Sequence, residues 1–177
     1  QKFVEEYQAT VEDLYKEDYI LDGMNVTMDF LDTAGSYAFP AMQKLYISSA
    51  DAFILVYSVT DESSFEEVKR IRDDIIEQSG NEKVPIVIVG NKTDLAQREI
   101  SQEMAETTVN IDWGNGYVEA SAKSDVNVTA IFREVLYQAK VHLSHCNAMV
   151  RRRDSAPVLC SDRKMSVKNK TNKCAVS

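Results

Sequence analysis

Cysteine is scarce: there are three in 177 residues, Cys146, Cys160 and Cys174, an odd number confined to the last 32 positions. That leaves no disulfide framework and fits a reducing compartment. No apolar run approaches the ~18 residues needed to span a bilayer, and no signal-peptide pattern opens the chain. Synthesis and retention in the cytosol are the expectation. Basic residues are scarce in one part of the chain. Residues 1–143 carry 12 Lys and Arg against 26 Asp and Glu, whereas 144–177 carry 8 against 2. So acidic a body excludes a nucleic-acid-binding domain, whose footprint is a basic face. The basic tail instead points to an anionic surface, with membrane lipid as the leading partner. Nucleophile arrangements of the Ser/His/Asp or Cys/His kind lack any supporting elbow or spacing. His142 and His145 lie one turn apart without the carboxylates or thiolates of a closed metal set, and read as a polar helix end.

What is present reads as one domain. Residues 14–21 and 24–32 are extended stretches separated by Asp22-Gly23, which supplies the positive φ angles of a tight hairpin turn. Residues 52–59 and 84–89 are continuous apolar runs rich in Val and Ile, the composition of strands buried on both faces of a mostly parallel sheet. Phe65, Val68, Ile71, Ile75 and Ile76 recur at helical spacing, as do Val128, Ile131, Phe132, Val135, Leu136 and Ala139. A weaker helix over 102–108 and a short strand over 117–120 complete the alternation. The fold class expected is α/β, a doubly wound, mostly parallel sheet spanning 1–143. From 144 to 177 the apolar periodicity fails, and a basic, disordered tail is expected.

Unusual residues gather at the carboxyl ends of strands, where open α/β sheets bind ligands. Asp32-Thr33-Ala34-Gly35 ends one strand, Asn91-Lys92-Thr93-Asp94 follows another, and Ser121-Ala122-Lys123 follows the last. Singly each is ordinary, a helix cap or a polar loop. Together and in this order they are specific.

On these motifs, from Phe3 to Leu143, the chain resembles the Ras family of small GTPases, and so it implies the nucleotide-binding fold of that family. Tyr7-Gln8-Ala9-Thr10-Val11-Glu12-Asp13 looks like the first switch and effector loop, so Tyr7, Thr10, Glu12, Asp13 and Tyr15 are the implied effector residues. Asp32-Thr33-Ala34-Gly35 matches the second-switch motif, Asn91-Lys92-Thr93-Asp94 the guanine-specificity motif, and Glu119-Ala120-Ser121-Ala122-Lys123 the supporting base loop. Residues 36–43 are most similar to the Di-Ras and Dexras branch.

The resemblance implies GTP or GDP as ligand and Mg²⁺ as cofactor. The Asp94 carboxylate would accept both guanine N–H groups, a donor pair that adenine lacks. Asn91 would bond the base and brace the loops, and Lys92 would lie along the nucleotide. The Ala122 N–H, flanked by Ser121 and Lys123, would meet the guanine carbonyl. Phe3 would cover the ring, the alternative being a plain core aromatic. Thr10 would reach Mg²⁺ with its hydroxyl, Asp32 would hold the same ion through water, and the Gly35 amide would contact the γ-phosphate. Effectors, exchange factors and GTPase-activating proteins are the implied protein partners. Trp113 and Tyr117, beside the base loop, read as packing residues.

Two features depart from the family pattern. Ser36 follows Gly35 where the family usually has the glutamine that orients the attacking water. Slow hydrolysis and a largely GTP-loaded protein are expected, a neutral substitution being the alternative. No Gly-x-x-x-x-Gly-Lys-Ser/Thr occurs, although that loop normally wraps the α- and β-phosphates. Matched to the family, the first strand, this loop and most of the first helix would precede Gln1. The sequence is therefore expected to be a partial one that folds poorly and binds nucleotide weakly alone. The other reading is a short form that acts without nucleotide.

Cys174-Ala175-Val176-Ser177 is a Cys-aliphatic-aliphatic-X ending in which Ser favours farnesylation. One lipid anchors only marginally, and the tail's Arg and Lys residues would supply the second signal. The expected location is the cytoplasmic face of a membrane, the plasma membrane first. The charge run also fits a solvated linker or a nuclear-import patch. Palmitoylation of Cys160 or Cys146 is left open.

Overall fold

The computed structural model describes residues 3, 10, 12–21, 24–33, 40–139, 150–151 and 172–176. Strand β1 (Glu12–Leu21) pairs antiparallel with β2 (Met24–Thr33), from Glu12 opposite Thr33 to Leu21 opposite Met24. Two residues therefore join them, the loop length that Asp22-Gly23 predicts; the turn residues lie outside the described set.

Helix α1 (Pro40–Ser49) follows and was not legible in the sequence. Its proline fits a first helical position, where no N–H is needed. However, among its described side chains Leu45 is exposed and Ile47 alone is buried. Strand β3 (Ala52–Ser58) leads to α2 (Glu62–Ser79). The Asp61 carboxylate caps α2 by accepting the Ser63 and Ser64 N–H groups at 3.0 and 3.3 Å. Gly80, at φ 62°, ends the helix in the left-handed conformation that glycine adopts without strain, its N–H bonded to the Ile76 carbonyl.

Strand β4 (Ile86–Asn91) precedes α3 (Gln102–Thr107), capped by Ser101, which accepts the Met104 N–H at 3.3 Å. This helix continues into a π-helical turn over Thr108–Asp112. Strand β5 (Gly116–Glu119) and helix α4 (Val128–Gln138) come next. From position 144 onward, the described residues are β6 (Val150–Arg151) and β7 (Asn172–Val176); most of the tail expected to be disordered lies outside the described set.

The sheet runs β5-β4-β3-β7-β2-β1-β6. Strands β3, β4 and β5 are mutually parallel, as their buried apolar composition requires. The alternation of β3 and β4 splits the core in two. On one face Phe53, Leu55, Tyr57, Ile86 and Ile88 pack with Phe65, Val68 and Ile75 of α2 and with Ala105 of α3. On the other, Ile54, Val87 and Val89 join Met28 and Phe30 of β2 and Val135 and Leu136 of α4. Phe30 meets Phe132 edge-on at 5.3 Å between ring centres. Burying each such side chain contributes about 1.5–3 kcal/mol. With both faces of β3 and β4 covered, the loops at the strand ends are the places open to ligands among the described residues.

Candidate functional site

The carboxyl ends of β4 and β5 bring the second and third motifs into contact. Gly90 accepts the Ala120 N–H through its carbonyl at 2.9 Å, and Ala120 in turn accepts the Thr93 N–H at 3.3 Å. Strand pairing thus continues one step past the sheet, which fixes the two loops against each other. The Ala122 N–H donates to Asn91 Oδ1 at 3.1 Å, and the Ser121 hydroxyl donates to Asp94 Oδ1 at 2.6 Å. Ser121 is only 1% exposed, and its oxygen also accepts the Ser124 N–H at 3.0 Å. Asn127, at φ 59°, donates its side-chain amide to the Glu119 carbonyl at 2.8 Å and closes the loop from below.

Lys92 stands at φ 67°, a conformation rare for a residue with a Cβ, and its carbonyl accepts the Leu95 N–H at 3.0 Å. The surrounding bonds over-determine this turn, as is usual where local strain serves a site. The Asp94 carboxylate itself faces solvent. Its hydrogen bond from Ser121 holds its pKa below the usual carboxylate range, with a smaller contribution from Lys123. An ionised, exposed carboxylate, braced on one oxygen, is suited to accept a pair of N–H donors.

Beneath these loops lies a chain of contacts that sequence reasoning missed. Tyr117 donates its hydroxyl to Glu119 at 2.9 Å and meets the Tyr57 hydroxyl at 2.9 Å. Arg98 grips both Glu119 oxygens as a fork and donates to the Ile100 carbonyl at 3.2 Å. Burial pushes the hydroxyl pKa of both Tyr57 and Tyr117 up. The available signal was period two: Tyr117 and Glu119 share one face of β5. Trp113 stacks on Phe65 at 5.6 Å with Arg72 over its ring, a packing role rather than a ligand-facing one.

At the other end of the site, the Thr10 hydroxyl donates to Asp32 Oδ2 at 3.4 Å, bringing two residues 22 positions apart together. Burial pushes the Asp32 carboxyl above its ordinary pKa, and Asp13, its register partner across the hairpin, adds to this while Thr10 opposes it. A hydroxyl beside a carboxylate disfavoured as an anion is hard-oxygen chemistry that a divalent cation would relieve. Among the described residues no group of three or more His, Cys, Asp or Glu forms a metal cluster. Thr10 would reach such a cation with its hydroxyl and Asp32 through water, the remainder falling to phosphate and water.

The other expected residues are spread more widely. Phe3 is 54% exposed. Tyr15 is exposed, its hydroxyl 3.4 Å from Asp13, and Glu12 accepts the Tyr46 hydroxyl at 2.8 Å. Tyr7, Gly35 and Ser36 lie outside the described residues, as do His142, His145, Cys146 and Cys160. Cys174 sits in β7, level with Phe30 and Ala52.

Compared with known protein families, residues 1–141 match the Ras family. The chain belongs to the Ras family. Ras-family members are small GTPases, nucleotide-binding switches that take guanine nucleotides, typically with Mg²⁺. The Asn91–Asp94 and Ser121–Ala122 loops lie within the matched region, and the mixed α/β architecture with its parallel β3, β4 and β5 agrees with the family.

Proposed function

We propose that the chain is a GTP-dependent signalling switch at a membrane that hydrolyses GTP slowly. The observation that carries this reading is the clamp between Asp94, Ser121, Asn91 and the Ala122 N–H. Asp94 would take the guanine N–H pair, Asn91 and Ala122 the rest of the base edge, and Lys92 and Lys123 the sides of the ring, with Phe3 over it. Thr10 and Asp32 would hold Mg²⁺, which supplies charge neutralisation of the phosphates when bound. Gly35 would meet the γ-phosphate. Ser36 cannot reach as far as a glutamine to orient water, and slow hydrolysis follows. Tyr7, Thr10, Glu12, Asp13 and Tyr15 form the effector segment, and Cys174 with the basic tail 144–177 attaches the domain 1–143 to lipid. The Di-Ras and Dexras branch is the assignment supported by residues 36–43.

Guanine-nucleotide retention tests this. The protein would be purified with Mg²⁺ and its bound nucleotide identified by native mass spectrometry, alongside a version extended by a first strand and phosphate loop. GTP or GDP on the extended form, lost by ~10²-fold or more in Asp94→Asn, supports the switch. A folded extended protein that retains none refutes it. Single-turnover hydrolysis should quicken in Ser36→Gln; no change would sink the slow-hydrolysis part.

One observation favours a second reading. Leu14 and Tyr15 of β1 are exposed large apolar residues within and beside the effector positions. A nucleotide-independent protein presenting the Thr10-to-Tyr15 effector segment to partners would have these features, and retention of partner binding without nucleotide would support it.

A further inference from the structure

Asp94 and Arg98 lie on the loop that leaves β4, and one residue holds both ends of that loop. Val59, fully buried just after β3, donates its N–H to the Asn91 carbonyl at 3.0 Å, and its own carbonyl accepts the Glu99 and Ile100 amides at 3.0 and 3.2 Å. Between these anchors the loop meets the end of β5 twice. The near contact joins Asn91 and Asp94 to Ala122 and Ser121. The far one is the fork of Arg98 on Glu119.

The far contact is suited to fixing position more than to adding stability. The Arg98 side chain is 31% exposed, and an ion pair open to water contributes little to folding. Its geometry is bidentate, however, which sets the angle as well as the distance between two segments. Glu119 is also held from inside. Its Oε1 accepts the Tyr117 hydroxyl, whose oxygen lies 2.9 Å from that of Tyr57, and Tyr57 is buried edge-on against Phe65. Both hydroxyls pass over Gly90, where a Cβ would come within 2.9 and 3.2 Å of them. Ser121, which braces Asp94, is two residues beyond Glu119. A shift of Glu119 is therefore passed directly to the base loop.

We infer that Arg98 and Tyr57 are positioning residues for guanine selectivity: acting through Glu119 and Tyr117, they hold the Asp94 carboxylate level with the Ala122 N–H, so that both N–H groups of the base are met at once. Neither side chain needs to touch the ligand. A carboxylate that slips against the Ala122 amide still takes one N–H; what the pair secures is the second. The selectivity rests on the guanine-binding reading above, whereas the control of loop register does not.

Two variants test this without emptying the core. Arg98→Lys keeps the charge and loses the fork, and Tyr57→Phe keeps the ring and loses the hydroxyl. The Thr93 and Ala122 amides bridge the two loops. In the chain as it stands, their hydrogen exchange should quicken ~10-fold or more in Arg98→Lys, with the amides of β3 unchanged. Unaltered exchange at 93 and 122, or equal acceleration throughout β3, would overturn the control of register. The second measurement compares GDP with inosine diphosphate, which lacks the exocyclic amino group, on the form extended by a first strand and phosphate loop. The preference for GDP should fall ~10-fold or more in Arg98→Lys, and by a smaller factor in Tyr57→Phe. Equal weakening of both nucleotides would mean a merely structural tie and overturn the selectivity role. A preference left intact in Tyr57→Phe would remove that residue from it. If the unaltered extended protein retains neither nucleotide, the guanine reading fails, and the exchange result alone decides whether Arg98 sets the loop.

Discussion

Two hydrogen bonds of Ser121 do more than its size suggests, since one oxygen both donates to Asp94 and accepts from the Ser124 amide. Removing it in Ser121→Ala leaves the Ser124 amide without this acceptor, and a loss of about 0.5–1.5 kcal/mol in urea-unfolding stability is expected. The same change should raise the Asp94 pKa toward its ordinary value, measurable by NMR titration of its carboxyl carbon. The sign follows from the depressed pKa. Asp94 contributes stability above the unfolded carboxylate pKa of about 3.9, and this is lost as pH falls through the lower folded value. Asp32 has the opposite sign. Its raised pKa favours the folded state at pH values below the unfolded one and works against it as pH rises, until a cation offsets the charge.

The tyrosine pair gives a second residue-scale prediction. Both hydroxyls are shifted upward by burial, so the folded state keeps its protons where an unfolded tyrosine, with pKa about 10, would ionise. Stability from this source is present below pH ~10 and lost as pH rises beyond it. Ultraviolet titration of the eight tyrosines should show Tyr57 and Tyr117 ionising only with unfolding. Tyr57→Phe should leave one such group; two remaining would mean that other tyrosines are the protected ones.

Among the elements, α3 is short and depends on its cap. Ser101→Ala should cost about 0.5–2 kcal/mol, read from thermal melting. In β4, a Cβ on Gly90 would come within 2.9 Å of the Tyr57 hydroxyl and 3.2 Å of that of Tyr117. Gly90→Ala should therefore destabilise by about 1–3 kcal/mol. Because the nearest atom is a hydroxyl, part of that loss should return in Gly90→Ala with Tyr57→Phe, a coupling that a double-mutant cycle measures. Additivity would mean that the glycine is required for another reason. The elements that periodicity revealed are those with a one-sided or two-sided apolar pattern: β3, β4, α2 and α4. Helix α1 was missed because its ten residues carry no clear apolar periodicity in the sequence, and the π-helical turn after α3 because nothing in its residues marks it off from an ordinary helix.

For the whole molecule, the pairing of β7 with β2 and β3 decides how many cooperative units there are. The β1–β2 hairpin joins the parallel strands through β7, so Ala175→Pro, which removes a ladder N–H from that strand, should loosen the hairpin. Amides of β1 and β2 should then exchange faster than in the unaltered chain, with β3, β4 and β5 unchanged. Loss of protection throughout the sheet would show a single unit instead.

The sequence by itself determined the hairpin, the buried parallel strands, the motifs at their carboxyl ends and the family, because each is written in local residue types and spacings. Asn91, Asp94, Ser121 and Ala122 were legible as a group for that reason. The tertiary structure alone decided that Ser121 braces Asp94, that Thr10 meets Asp32, and that Arg98, Glu119, Tyr117 and Tyr57 form one chain. It alone decided that the tail's last strand enters the sheet. These are contacts between distant positions, set by strand register and by the need to pair every buried backbone group, and no local pattern encodes them.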